Sequence, residues 1–416
     1  MNNRRVAITG IGVVSPVGIG KEAFWRSLVE GRSGIKKITQ FETSGYPCRV
    51  AGEVDDFDPL DFMSRKEADR MERSTQFAVA AAKMAIADAH LELEVEDPRR
   101  IGVAIGTTIG GAGFSYEQHR KFLEKGPMKI HPYTASITWP NACSTWVSIG
   151  LHAQGPSETI STACVSSFDA IMHGMDLIRK GELDIVVCGG AESPLFPMFY
   201  SAFCLSRIVS NKNSGAMNVP RPFDSLRDGT VLGEGAGVLV LEELRHATER
   251  EISILCELTG YGITCDASHM VRPDYRGISR AMQMALESAG LSAEDIDYIH
   301  ATGSGTQMGD MTETLAIKDA FGRHAYRVPV SSVKSMVGHL MGASGAVELS
   351  ACALALLYGV IPPTINYDFP DPDCDLDYVP NKSRVARIHT VLANCFGFGG
   401  KNTALVLRTT HNGQTD

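Results

Sequence analysis

Short apolar runs, many of them ending in glycine, alternate along the chain with longer stretches of helical spacing. RVAITGIGVV, IGVAIGTT, DIVVCGGAE and GVLVLEEL predict mostly buried strands in the first part of the chain. RSTQFAVAAAKMAIADAHL and GISRAMQMALESAGL carry apolar residues at helical spacing. ILCELTGYGITC, IDYIHATG, VPVSSVKS and TVLANCFGFGG predict further strands in the second part. The alternation points to α/β layers. The two parts also echo each other. VAITGIGVVSP near the start and CELTGYGITCD at 256–266 each read as a strand that turns at Gly-x-Gly into small polar residues. The echo predicts a duplicated unit with a boundary near residue 250, giving halves 1–250 and 251–416.

Composition narrows the function classes. The 416 residues are 44% hydrophobic and 21% charged, enough for a substantial core. A formal net charge of −9 argues against a general nucleic-acid binder, while leaving room for an acidic partner on a local basic patch. The start of the chain lacks the apolar core and cleavage site of a signal peptide. The longest apolar run, around LSACALALLYGVI, reads as too short and too interrupted to span a bilayer. The ten cysteines show no CxxC pair or zinc spacing, and several lie in apolar runs, so reduced buried thiols in a cytoplasmic protein are expected.

Several segments carry candidate chemistry. GIGVVSPVG has Ser15 where a dinucleotide fingerprint needs its third glycine, followed at once by Pro16, and no acidic ribose ligand follows. GTTIGGAG at 106–113 lacks the ending of a phosphate loop and reads as a turn. In TISTACVSSFDAIMHGMDLIRKGELD, small residues lead to Cys164 and helical spacing begins directly after it. A cysteine in the first turn of a buried helix is exposed to backbone N–H groups that stabilise a thiolate nucleophile. A buried structural cysteine fits this segment equally well. VSSVKSMVGHLMGASGAVELSACALAL holds Lys334, His339 and Glu348 in one loop-to-helix segment, with His339 next to Gly338. Cys164, His339 and Lys334 together fit a thiol enzyme that acts on thioesters. ANCFGFGGKN at 393–402 reads as a tight turn whose N–H groups could face a substrate oxygen.

STACVSS, RPFDSLRDGTVLGEGAGVLVLEEL, SVKSMVGHLMGASGAVE and NCFGFGGKN resemble the β-ketoacyl-[acyl-carrier-protein] synthases, the elongating condensing enzymes of fatty acid and polyketide synthesis. The likeness runs from VAITGIGVVSPVG to NTALVL. It implies a thiolase-like α/β fold with five αβαβα layers from two similar halves, usually as a homodimer. It also implies acyl transfer to Cys164, then decarboxylation of a malonyl thioester and attack of its carbanion. By the same resemblance, the N–H groups of Cys164 and Phe398 form an oxyanion hole, and Phe398 gates acyl entry. His339 bonds the malonyl thioester oxygen, and Lys334 with Glu348 holds His339 in its working state. No cofactor is bound permanently, since phosphopantetheine arrives on the acyl carrier protein.

YIHATGSGTQMGD at 298–310 departs from the family pattern Asn-Ala-His-Gly-Thr-x-Thr-x-x-Gly-Asp. His300 falls on the usual asparagine, and Thr302 on the usual catalytic histidine. A threonine hydroxyl is one donor and no base at neutral pH. Three readings follow: condensation with Thr302 or an inward-turned His300 helping, a site that is acylated but elongates poorly, or a non-catalytic partner subunit in a heterodimer. Residues two apart in an extended segment point the same way, which would let His300 reach the site. The retained Cys164 puts the partner-subunit reading last. Lys401 replaces a usual threonine near the mouth. The expected partner is an acidic acyl carrier protein. In MSRKEADRMERS, Arg65, Lys66 and Arg70 are expected on one helix face by their spacing, and Arg207 matches another docking position of the family.

Overall fold

The computed structural model describes residues 4–213 and 218–410. Two sets of five strands build the main sheet, with the two-residue strand Gly18–Ile19 paired to the end of Val6–Ser15 as an eleventh. The first set runs Val6–Ser15, Gly235–Glu243, Ile185–Glu192, Ile101–Gly106 and Ser157–Ile160, in spatial order from the middle outward. The second runs Cys256–Cys265, Lys401–Arg408, Thr390–Gly397, Tyr298–His300 and Val330–Ser331. Each set begins with two antiparallel pairings and ends with two parallel ones. The sets meet where Val6, Ala7 and Ile8 pair with Leu258, Glu257 and Cys256.

Helices complete the five layers. Ser166–Arg179 and Ser344–Tyr358 pack against each other and against strands of both sets, which places them in the middle. Arg73–Asp88 covers the outer face of the first set, and Tyr275–Ala289 that of the second. Ser344–Tyr358 is buried from Ser344 to Leu356, as a helix apolar on all sides must be. By length and composition Met341–Tyr358 would reach across a bilayer, contrary to the sequence reading, but 89% of it is buried inside the protein. It is the central core helix.

The Gly-x-Gly echo has a different cause from the expected turn. Gly10 and Gly12 lie within the strand Val6–Ser15, and Gly260 and Gly262 within Cys256–Cys265. A Cβ on Gly10 or Gly12 would strike the carbonyl oxygens of Ala85 and Ala81 in the outer helix. A Cβ on Gly260 or Gly262 would strike those of Ala285 and Ala281 in the other outer helix. The glycines allow each helix to sit directly on its strand. VPVSSVKS, expected as a strand, is extended only at Val330–Ser331 and becomes a short helix at Lys334–Val337.

Candidate active site

Cys164, Thr302, His339 and Phe398 line one cleft, together with apolar residues such as Phe203, Ile278 and Phe396. Cys164 follows Ala163, which is held at φ 62, a left-handed conformation that excludes β-branched residues. The helix beyond it starts only at Ser166, with Val165 in the capping position. A Cβ on Gly397 would lie 3.1 Å from the Cys164 nitrogen, so glycine lets this strand end close on the cysteine. The next N–H, that of Phe398, and the N–H of Cys164 itself both act on the sulfur. Two N–H groups acting on one sulfur are an arrangement that could serve a carbonyl oxygen as an oxyanion hole. The thiol is nonetheless pushed up to about 11 by burial, which outweighs the opposing pull of Lys334 and of the two N–H groups. Desolvation thus works against the thiolate that a helix start would favour.

His339 is fixed by its backbone and one ring nitrogen. Its N–H donates to Val231 O at 2.7 Å. Nδ1 accepts the Met341 N–H at 3.1 Å and lies 3.0 Å from Ser344 Oγ. An accepting Nδ1 leaves the proton of the neutral ring on Nε2, a donor. The ring is neutral because burial, helped by the Lys334 charge, lowers it to about 3. Lys334 pairs with Glu348, and both side chains are 1% exposed. Desolvation works against the Lys334 ammonium, and Glu348, with Cys395 and Glu313, more than offsets it. Lys334 and Glu348 make no hydrogen bond to His339. Ser344 and Met341 orient the imidazole, and Lys334 acts on it through its field. Ser344 carries no signal in a sequence of small residues.

The loop after Tyr298–His300 separates the two residues that the sequence set side by side. The strand is paired in parallel on both sides. His300 is fully buried edge-on to Tyr298, with ring centroids 6.3 Å apart, and neither ring nitrogen has a protein partner. Burial and then Lys334 lower it to about 3. It does not line the cleft. The extended alternation that would have aimed His300 inward ends at Ala301, where the chain leaves the sheet and turns at Gly303, φ 44. Thr302 does line the cleft, but its hydroxyl donates to Asn394 O at 3.2 Å. The Thr302 and Gly303 N–H groups donate to Glu313 at 2.8 and 2.9 Å. Burial raises the Glu313 carboxyl to about 7 against those two donors. Asp310 accepts the N–H groups of Phe223 and Gly305 at 2.7 and 3.1 Å, and Thr306 caps the following helix Gln307–Phe321. The Gly/Ser/Thr run is thus a turn held by two buried acids.

Glu192 ties loops from both parts of the chain together around Cys164. It accepts Thr107 Oγ1 at 2.9 Å, Thr108 N–H at 2.6 Å and Gly342 N–H at 3.1 Å, joining the loop behind Cys164 to the one after His339. Glu192 and Glu313 both escaped the sequence reading. Their signal was weak: one acid at the end of an apolar strand, the other one turn beyond Asp310 on a helix.

Models of the β-ketoacyl synthase N-terminal and C-terminal domains match residues 3–247 and 255–368. The chain belongs to the β-ketoacyl synthase family. It is 44% identical over 410 residues to 3-oxoacyl-[acyl-carrier-protein] synthase 2 of Synechocystis sp., covering 98% of this chain and 99% of that one. It is 43% identical to the tetracenomycin polyketide synthase ketoacyl synthase alpha subunit of Streptomyces glaucescens, covering 97% of each. The solved ishigamide ketosynthase/chain length factor superposes with a TM-score of 0.93 at 39% identity, over 98% of this chain and 100% of that one. The fold is the thiolase-like fold of ketosynthases, and the chain is a condensing enzyme of the acyltransferase type.

The synthase cleft opens beside the hairpin between Thr390–Gly397 and Lys401–Arg408, where Gly399 and Gly400 take φ of 80 and 67. Phe398 at its tip stacks on Phe203, 6.5 Å away and 12° from parallel. Gly399 N–H donates to Met270 O at 2.8 Å, joining the hairpin to the loop that carries Met270, Val271 and Arg272 along the cleft. Lys401 is exposed opposite Cys265 and does not line the cleft. The helix expected to carry Arg65, Lys66 and Arg70 on one face is shorter than its spacing suggested. It covers Arg65–Ala68, capped by Ser64 and Glu67, and Arg70 lies beyond its end. Arg70 instead sits 4.5 Å over the Tyr133 ring and donates to its hydroxyl at 3.0 Å. Arg65, Lys66 and Arg70 still line one shallow depression with His131 and Tyr133. Arg207 is exposed one residue before Ile208, which lines the cleft.

Proposed function

We propose that Cys164 accepts an acyl chain from the phosphopantetheine arm of an acyl carrier protein and passes it to a malonyl-type thioester on a second carrier. The Cys164 sulfur adds to the acyl thioester carbonyl, and the oxyanion rests on the N–H groups of Cys164 and Phe398. The carrier thiol departs with the proton that the cysteine gives up. The malonyl thioester oxygen then accepts the His339 Nε2 proton as a hydrogen bond. Loss of CO2 leaves an enolate, whose carbon attacks the acyl-Cys164 thioester and returns the cysteine thiolate to be reprotonated. The observation that carries this reading is the pairing of the two-donor hole on Cys164 with a neutral His339 ring whose proton sits on Nε2.

The Thr302 hydroxyl is committed to Asn394, and His300 is sealed behind the site. The enolate oxygen then has His339 as its one side-chain donor. Loss of one such donor costs about 10²–10³ in rate. This favours a synthase that acylates readily and elongates slowly over a non-catalytic partner subunit, for which an intact Cys164 site has no use. Arg65, Lys66, Arg70 and Arg207 are the proposed carrier contacts. A second copy of the chain is proposed to pair through the sheet edge Ser157–Ile160, flanked by exposed Trp139 and Ile149, with a chain-length-factor-like subunit as the alternative partner.

The test is intact-protein mass spectrometry with an acyl-carrier thioester, run beside release of CO2 from malonyl carrier. One adduct is expected, absent in Cys164→Ser. Malonyl decarboxylation should be slow in the wild type and rise at least about tenfold in Thr302→His. An adduct that persists in Cys164→Ser refutes the nucleophile. Wild-type decarboxylation as fast as that of Thr302→His refutes the role given to Thr302.

A further inference from the structure

We propose that Arg272 is the anion-binding residue of the cleft, holding the phosphate of the phosphopantetheine arm at its mouth. This deepens the reading above and rests on it for the identity of the arm.

Among the described residues that line the cleft, Arg272 is the one lysine or arginine. Its side chain makes no ion pair or hydrogen bond with the described residues, and it is exposed. The neighbouring acids are engaged elsewhere. Asp266 accepts Asn402 Nδ2 at 2.6 Å and the Asp274 N–H at 2.9 Å, and Asp274 accepts the Arg276 N–H at 3.0 Å. The backbone under Arg272 is pinned although its guanidinium is free. The N–H groups of Val271 and Arg272 donate to His269 Nδ1 at 3.0 and 3.1 Å. Met270 O is held by Gly399 of the gating hairpin. The result is a cation on a fixed mount at the entrance of a cleft with largely apolar walls.

The chemistry of the arm fits this layout. Its thioester must reach Cys164, and its apolar and amide portions can cross the cleft. Its phosphate carries a full charge that is costly to desolvate, so it must stay at the water-exposed end. Inside, the Lys334 charge is already matched by Glu348, and the described residues lining the cleft include no second lysine or arginine to meet an anion. A guanidinium forms paired hydrogen bonds with phosphate oxygens that an ammonium cannot reproduce.

Binding can be measured apart from acyl transfer. The probes are two S-methyl-capped arms that cannot transfer, pantetheine and phosphopantetheine with its phosphate as a methyl diester. Dissociation constants are taken by calorimetry on the full chain. The wild type should bind the phosphate-bearing arm about fivefold more tightly, the size of an exposed charge pair, and added salt should shrink that preference. Arg272→Ala should bring the ratio to about one, and Arg272→Lys should restore part of it. A ratio that is the same in wild type and Arg272→Ala overturns the proposal, as does equal weakening of both arms. A third probe covers the other anion of the reaction, the malonyl carboxylate. If Arg272→Ala lowers CO2 release from malonyl-pantetheine but not acylation from acetyl-pantetheine, and leaves the phosphate ratio intact, Arg272 reads the carboxylate and the proposal fails. Failure of Cys164 to take any acyl group would instead sink the reading above, and the arm-binding ratio would still judge Arg272.

Discussion

At Cys164, opposing influences act on one sulfur. Burial raises the thiol, and Lys334 with two N–H groups lowers it, with burial ahead. A resting thiol suits a site that must wait for an acyl donor without reacting with stray electrophiles. The sign can be checked directly. With the thiol near 11, the thiolate fraction is small at pH 7 and grows about tenfold per pH unit. Inactivation by iodoacetamide should therefore climb about 100-fold between pH 7 and 9, with no plateau. Replacing Lys334→Met together with Glu348→Gln removes a cation that favours the thiolate and should move the profile further to alkaline pH. A plateau near neutrality in the wild type would show that the hole and the lysine outweigh burial.

At the scale of single elements, the two outer helices lie on their strands because Gly10, Gly12, Gly260 and Gly262 have no Cβ. Gly12→Ala should lower the urea midpoint by the equivalent of about 3 kcal/mol, since the added methyl group meets backbone that cannot move aside. Gly45→Ala, where a Cβ meets nothing within 4 Å, should leave the midpoint nearly unchanged. Similar midpoints for the two variants would mean that the helices do not need this approach. The same glycines show how far the sequence could be read. Buried strands and amphipathic helices imprint their period on the chain, so most elements and their order were legible. A glycine under a helix and a glycine at a turn look alike in one sequence, so the reason for the echo was not. In the cleft, Cys164 and His339 carry distinctive chemistry and stood out in the sequence. Glu313 and Glu192 work by accepting backbone N–H groups, which any residue offers, so their partners leave no pattern. Arg70 was misplaced because the spacing of three cations says nothing about a helix that stops at Ala68.

At the scale of the whole molecule, the net charge of −9 would repel an acidic carrier, so the docking proposed above places the attraction in the local cations near the cleft and at Arg65 and Lys66. The far edge of the sheet, Ser157–Ile160, has a strand partner on one side only. A two-fold copy can pair with that edge and cover Trp139 and Ile149. Trp139→Arg combined with Ile149→Arg should halve the mass measured by light scattering, and an unchanged mass would remove this edge from the interface. Sheet order also dictates the timetable of synthesis. Val6–Ser15 leaves the ribosome before the two strands it lies between, Gly235–Glu243 and Cys256–Cys265. At about 5–20 residues per second, its neighbours follow on the order of ten to forty seconds later. For that interval a strand of ten residues, all of them buried in the finished protein, waits with only Gly18–Ile19 to pair with its end. It is the nascent segment that chaperones have the longest opportunity to hold.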